Sequence, residues 1–286
     1  MNFKKNWLFV GQGAGFQAVE CDTGIFQALE ELNCVPEKAI ASSGSALFCS
    51  LYYSGFTTKR MSNLQEQTSP FDWIDVVPYQ AVKTALGKSN YCLDNTKIQE
   101  LLIEEMSFEA SKRVQVSVTR MDDYSTYIKP ATPDWTLAAT SIPFVFKTLK
   151  KDNSYWSDGG ILNNVPLPSL EDCKKYERII LFLAPKTEYN GKELGLTGIA
   201  QLLLTVMMRE ETQLEEAGYL NLPNLTLIRP KSAHGGNLFK WSDRFKVREE
   251  CKQLTLEALK NAKDSSAPFS DGNNNVFVRL CKLFGF

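Results

Sequence analysis

Residues 40–47 read Ile-Ala-Ser-Ser-Gly-Ser-Ala-Leu, three serines around one glycine directly behind a short apolar run. Such a string suits a strand that turns sharply into a helix, where crowding admits only small side chains two places before and after the turn residue. With Ser43 at the turn, those places fall on Ala41 and Ser45. With Ser45 at the turn, the second would fall on the bulky Leu47. Ser43 is therefore the candidate nucleophile, on an elbow flanked by Ala41 and Ser45. The helix behind it would aim its N-terminal N–H groups at a reacting carbonyl. Small-residue turns are common, so the string gains meaning only from its surroundings.

Working outward, Lys38–Ala41 is a short strand leading into the turn, and Ala46–Ser54 is an apolar helix closed by Gly55. Upstream, Trp7–Val10 has the character of a buried strand entering a loop that holds Gly11, Gly13, Ala14 and Gly15. Gly24–Leu32 then carries Ile25, Ala28, Leu29 and Leu32 at helical spacing. Strand, glycine loop, helix, strand, turn, helix is the beginning of an α/β domain. Downstream, residues 69–79 have no clean period and suit a cap over a site. Asp94 is placed to cap a helix over Lys97–Met106, and Val114, Val116 and Val118 alternate as in a strand. Ile179–Ala184 is an apolar run suited to a central parallel strand. Ile199–Leu214 and Phe245–Ala262 have helical character, with a short strand at Leu225–Ile228 between them. The division expected is one domain over 1–264, a flexible linker over 265–275 (SSAPFSDGNNN) and an amphipathic segment over 276–286. That last segment joins apolar and aromatic groups to Arg279 and Lys282, which suits a membrane interface, or docking on its own domain or a partner.

The 286-residue chain is 43% hydrophobic and can bury a large core. Its 32 basic and 33 acidic side chains give a formal net charge of −1, the opposite of the basic excess a nucleic-acid surface needs. Seven cysteines lie far apart, outside metal-finger or redox-motif spacing, as buried thiols in a reducing compartment would. The apolar run near the N-terminus, Trp7–Val10, is too short for a signal peptide, and no stretch approaches the ~20 apolar residues of a membrane span. The expectation is a cytoplasmic protein without structural zinc.

A second cluster lies far from the first. Residues 155–167 read YWSDGGILNNVPL, and residues 138–146 read AATSIPFVF. Asp followed by two glycines is by itself only a turn. In the order ASSGSAL, AATSIPFVF, SDGGILNNVP, however, the chain resembles the patatin-like phospholipase family of lipid acyl hydrolases over roughly residues 5–262. Gly24–Glu31 (GIFQALEE) is similar to the family's GVLKALEE helix, Ala41–Leu47 to its GTSAGAL elbow, and Asp158–Pro166 to its DGG segment.

The resemblance implies a three-layer α/β/α fold with a central, mostly parallel sheet. It implies a dyad of Ser43 as nucleophile and Asp158 as general base, with no histidine, metal or organic cofactor. It also implies an oxyanion hole from the backbone of Gly11, Gly13, Ala14 and Gly15, support of the aspartate loop by Gly159, Gly160 and Asn164, and a lipid ester or phospholipid substrate. The single histidine, His234, lies in a Gly-rich stretch away from both motifs. The chain departs from the family at the elbow, Ala-x-Ser-x-Ser in place of Gly-x-Ser-x-Gly, and at the first loop, which lacks the family's basic residue. Counted back from Gly24, the loop would instead be Ala14–Val19, so two registers are open. The altered glycines keep a second reading in view, a catalytically silent relative that binds lipid or a protein partner. A dinucleotide loop fits poorly, since Phe16 stands where the third glycine of G-x-G-x-x-G belongs and Lys38–Ala41 runs into Ser42 without the acidic residue that should end the next strand.

Overall fold

The computed structural model describes residues 3–76, 83, 91–185, 214, 217–231 and 244–264. The linker, the C-terminal segment, His234, most of the helix expected at Ile199–Leu214 and the end of the 69–79 stretch lie outside the described residues.

The strands are β1 (Phe3–Gly11), β2 (Val35–Ala41), β3 (Asp75–Val76), β4 (Tyr91–Asp94), β5 (Val114–Arg120), β6 (Ser125–Pro130), β7 (Phe144–Phe146), β8 (Leu149–Lys151), β9 (Ser154–Asp158), β10 (Arg178–Phe182) and β11 (Leu225–Ile228). The longer helices are α1 (Gly15–Glu31), α2 (Ser43–Tyr53), α3 (Thr58–Gln67), α4 (Thr96–Glu105), α5 (Phe108–Arg113), α6 (Pro133–Ala139) and α7 (Arg244–Asp264). The main sheet runs β11-β10-β1-β2-β5-β9-β8, with β6 on the other edge of β5. From β11 to β5 it is parallel; β6 and β9 run antiparallel to β5, and β8 antiparallel to β9. A small second sheet has the order β3-β4-β7.

Alternation along the parallel strands divides the core. Phe9, Ala39, Ala41, Val116 and Ile180 face one side, where they pack with Ile25 and Leu29 of α1, Phe48 and Leu51 of α2, and Val247 of α7. Leu8, Val10, Ile40, Ile179 and Leu181 face the other side, against Val165, Cys173 and Leu222. Covered on both faces, β1 and β10 carry continuous apolar runs at Trp7–Val10 and Ile179–Phe182, whereas β5 alternates, with Gln115 exposed between Val114 and Val116. The architecture is a three-layer α/β/α fold with a central, mostly parallel sheet.

Two helices start earlier than their patterns predict. The first begins at Gly15, about two and a half turns before Gly24, because Ala18 and Cys21 extend the same stripe. Glu20, Asp22 and Thr23 hide this in the sequence, since they too are buried. Gly24 marks the crossing with α7, where a Cβ would stand 2.0 Å from the Arg248 carbonyl oxygen. The second helix begins at Ser43 itself, three residues before Ala46. Asp94 does take the Thr96 N–H, at 2.8 Å, at the head of α4, while Asn95 occupies the cap position.

Candidate active site

Ser43 and Asp158 are 115 positions apart in the chain, and the register of β5 explains why they meet. Along Gln115–Arg120, one edge of β5 is taken by β6. The other edge is shared: β2 runs parallel to β5 and ends with Ala41 beside Val116, while β9 runs antiparallel and ends with Asp158 beside Val118. The carboxyl ends of β2 and β9 therefore approach each other head to head, two residues apart along β5, or about 7 Å. From one end the chain steps through Ser42 into Ser43. At the other it turns at Asp158 into the 3₁₀ turn Gly159–Ile161.

Ser43 has φ 50°, in the left-handed region that side chains other than glycine rarely adopt. Its neighbour Ser42 is extended, and the Ser42 N–H donates to the Gly11 carbonyl at 3.1 Å, so the turn hangs from the end of β1. The tightest steric demand falls on Gly44, where a Cβ would lie 1.9 Å from the Gly15 carbonyl oxygen. The sequence pattern had placed the demand on Ala41 and Ser45. Ala41 is the buried last residue of β2. Ser45 is fully buried and fits because Gly11 lacks a side chain: a Cβ there would stand 2.6 Å from the Ser45 Cβ. The Ser45 hydroxyl donates to the Gln12 carbonyl at 2.8 Å.

Asp158 is 1% exposed. Its backbone N–H donates to the Ser141 carbonyl at 3.0 Å, as does the Ser157 hydroxyl at 2.8 Å. The AATSIPFVF stretch thus carries the strand that presents the aspartate. Oδ1 accepts the Gly160 N–H at 2.7 Å, while the buried Oδ2 has no fully formed hydrogen bond. Burial pushes the Asp158 carboxyl up to about 7, and the facing Ser43 hydroxyl and the Gly160 N–H pull in the opposite direction. Gly159 lets the turn lie on β5, since a Cβ there would meet the Ser117 carbonyl oxygen at 2.3 Å.

The loop after β1 is short, because Gly15–Val19 are already helical; of the two registers, the loop beside Ser43 is the one that follows Gly11. It is pinned at several points. The Gln12 N–H donates to the Phe182 carbonyl at 3.2 Å, and Gln12 Oε1 accepts the Ala184 N–H at 2.6 Å. The Gly13 N–H is shared between Asn164 Oδ1 at 3.0 Å and the Asn164 carbonyl at 3.3 Å, and Asn164 Nδ2 returns a bond to the Gly13 carbonyl at 3.1 Å. Asn164 therefore clamps the first loop to the aspartate loop. A Cβ on Gly13 would lie 2.4 Å from Asn164 Oδ1 and 2.6 Å from the Ser43 Cβ.

These bonds revise the expected set of oxyanion donors. Gly11 ends β1 within the sheet, and the Gly13 N–H is committed to Asn164. Ala14 and Gly15 stand at the head of α1, and among the described residues no acceptor takes their N–H groups. Two further residues belong to the site that the motifs did not mark. Gly44 is one, readable in the string itself as its only glycine. The other is Asp22 on α1, fully buried and faced by the Ser45 hydroxyl; a carboxylate in an irregular polar stretch gave no signal of burial. Among the described residues, no group of three His, Cys, Asp or Glu could hold a metal ion, and Cys21, Cys34, Cys49, Cys173 and Cys251 are buried and outside any disulfide.

No protein-family model matches the chain, and no curated protein sequence does. Among solved structures it is similar to the crystal structure of VipD from Legionella pneumophila, at 12% identity and a TM-score of 0.46. The match covers 89% of this chain and 66% of that one, so the chain spans just under two thirds of that structure's length.

Proposed function

We propose that the protein is a patatin-like lipid acyl hydrolase that cleaves fatty-acyl esters through Ser43 and Asp158. The observation that carries this reading is Ser43 held at φ 50° at the head of α2, facing a buried carboxyl at the end of β9. A non-glycine residue in that conformation costs ~1–3 kcal/mol, and such strain is retained where it aims a reacting group.

In the mechanism, ionised Asp158 accepts the Ser43 proton as Oγ attacks the ester carbonyl carbon. The N–H groups of Ala14 and Gly15 and the positive ends of α1 and α2 meet the charge on the carbonyl oxygen. Collapse breaks the ester bond, and Asp158 returns the proton to the leaving alcohol. Water, deprotonated by Asp158, then attacks the acyl-enzyme, and as the Ser43–acyl bond breaks Asp158 returns that proton to Ser43 Oγ and the fatty acid leaves. This route uses no metal and no organic cofactor. The lipid character of the substrate, phospholipid included, rests on the motif resemblance. We place the protein in the cytoplasm, with 276–286 as a peripheral membrane contact.

Reaction with a fluorophosphonate, followed by mapping of the adduct, tests the proposal. The expected adduct is on Ser43 alone, and Ser43→Ala should abolish both labelling and hydrolysis of a short-chain ester while the fold persists. An adduct on Ser45 would overturn the elbow assignment. Absence of any adduct would favour the silent, binding relative, a reading to which the commitment of the Gly13 N–H to Asn164 gives some weight.

A further inference from the structure

Asp22 is fully buried, and among the described residues neither of its carboxyl oxygens has a formed hydrogen bond. Among the described residues no cation bears on it; Glu20 on α1 and Arg248 on α7 are engaged with each other at 2.9 Å. The titratable side chains close to it are Cys21 on its own helix and Cys49 on α2, and burial pushes both thiols well up, so both are neutral. Ionising a carboxyl in such a place is far more costly than keeping its proton, and burial accordingly drives the Asp22 carboxyl well up. A neutral carboxylic acid is a hydrogen-bond donor as well as an acceptor. The polar side chain that faces it is the Ser45 hydroxyl, whose own hydrogen already goes to the Gln12 carbonyl.

We infer that Asp22, as a neutral acid, is a positioning residue that acts through Ser45: its O–H donates to Ser45 Oγ, and the Ser45 O–H holds the Gln12 carbonyl at the base of the loop beside Ser43. The inference rests on the hydrolase reading for its kinetic consequence, though the hydrogen-bonded chain itself does not. Bonds in such a chain polarise one another, so the outer donor strengthens the inner contact. Gln12 is the loop's anchor, and one residue beyond it Gly13 packs on the Ser43 Cβ. The family pattern has glycine at the place of Ser45, where no hydroxyl exists to be held. In this chain Gly11, Ser45 and Asp22 form one unit, the glycine making the space, the serine reaching the carbonyl and the acid orienting the serine.

The experiment compares Asp22→Asn, Asp22→Leu, Ser45→Ala and the double variant Asp22→Leu/Ser45→Ala. Asp22→Asn keeps a donor and should hold kcat within about threefold of wild type. Asp22→Leu fills the volume without a donor; it should keep the melting temperature and lower kcat about tenfold, the loss of one oriented hydrogen bond. In the Ser45→Ala background, Asp22→Leu should cost nothing further, which a purely packing role would not produce. An equal loss in both backgrounds, or an unchanged kcat in Asp22→Leu, would overturn the inference. A loss in Asp22→Asn as large as in Asp22→Leu would also overturn it, since the amide retains the donor.

A second readout is independent of turnover. At pH 8 in an Asp158→Asn background, the infrared band of a protonated carboxyl should be present, vanish with Asp22→Asn and shift upward with Ser45→Ala. Absence of that band would overturn the inference. The expected band without ester hydrolysis or labelling of wild type would sink the hydrolase reading alone and leave the Asp22–Ser45–Gln12 chain standing.

Discussion

In the proposed role of general base, Asp158 joins a function to a cost. A general base must be ionised, yet burial raises the carboxyl to about 7, against an ordinary value of 3.8. Hydrolysis by the dyad should therefore rise with pH through about 7 and level off above it, a profile read from kcat/KM on a short-chain ester. The stability consequence has the opposite sign. Between the unfolded and folded pKa values the native state binds the extra proton, so the contribution is fully present below pH 3.8 and is lost as pH rises through about 7. The full difference is on the order of 4 kcal/mol. Asp158→Asn should thus remove ~10²–10⁴-fold of the activity and yet melt higher than wild type at pH 8, with the gap closing toward pH 5. A variant melting below wild type at pH 8 would show that the carboxylate is stabilised where it sits.

At the level of elements, α1 decides how the site is built. Its head forms the loop, its middle carries Asp22, and its flank is fixed to α7 by Arg248, which donates to Glu20 through Nε at 3.0 Å and to Gln65 at 2.9 Å. Burial outweighs the arginine at Glu20, whose carboxyl remains above its usual range, so the pair specifies the crossing more than it strengthens it. Arg248→Ala should cost about 3–5 kcal/mol in urea unfolding, because it strands the Glu20 charge. Glu20→Leu/Arg248→Met should recover most of that loss, and failure to recover would mean the pair is a net stabiliser. Why α1 was only half legible follows from the same residues. Gly24–Leu32 shows an apolar stripe, whereas Gly15–Thr23 buries Glu20, Asp22 and Thr23 and looks solvated as a string. The apolar runs at Trp7–Val10 and Ile179–Ala184 were legible as strands because strands covered on both faces carry no polar alternation, while Lys38–Ala41 and Leu225–Ile228 were legible as short apolar stretches.

Over the whole molecule, the candidate site is a property of register rather than of any segment. The motifs named Ser43 and Asp158, but nothing local says that β9 enters β5 antiparallel on the edge that β2 leaves free. Pairings of that kind depend on contacts distant in sequence, and a string of residues does not display them. Asn164 depends on the same closure: it joins the loop after β1 to the loop after β9, 151 positions away, with bonds in both directions. Asn164 is 3% exposed, so those bonds are made out of contact with bulk water. Asn164→Ala should leave the Gly13 N–H with only the longer bond to the carbonyl at 3.3 Å and open space beside the Ser43 Cβ. The expected cost is about 1–3 kcal/mol in stability. Under the proposed mechanism the kinetic cost should be larger in proportion, about tenfold or more in kcat with little change in KM, because the loop would act on the reacting carbonyl rather than on the bound chain. Asn164→Asp separates the two roles: it keeps an acceptor for the Gly13 N–H but loses the bond to the Gly13 carbonyl. It should fall between Asn164→Ala and wild type in both measurements. If Asn164→Ala lowers stability alone and leaves kcat intact, the clamp belongs to the fold, and the loop keeps its place beside Ser43 through Gln12 and Ser45.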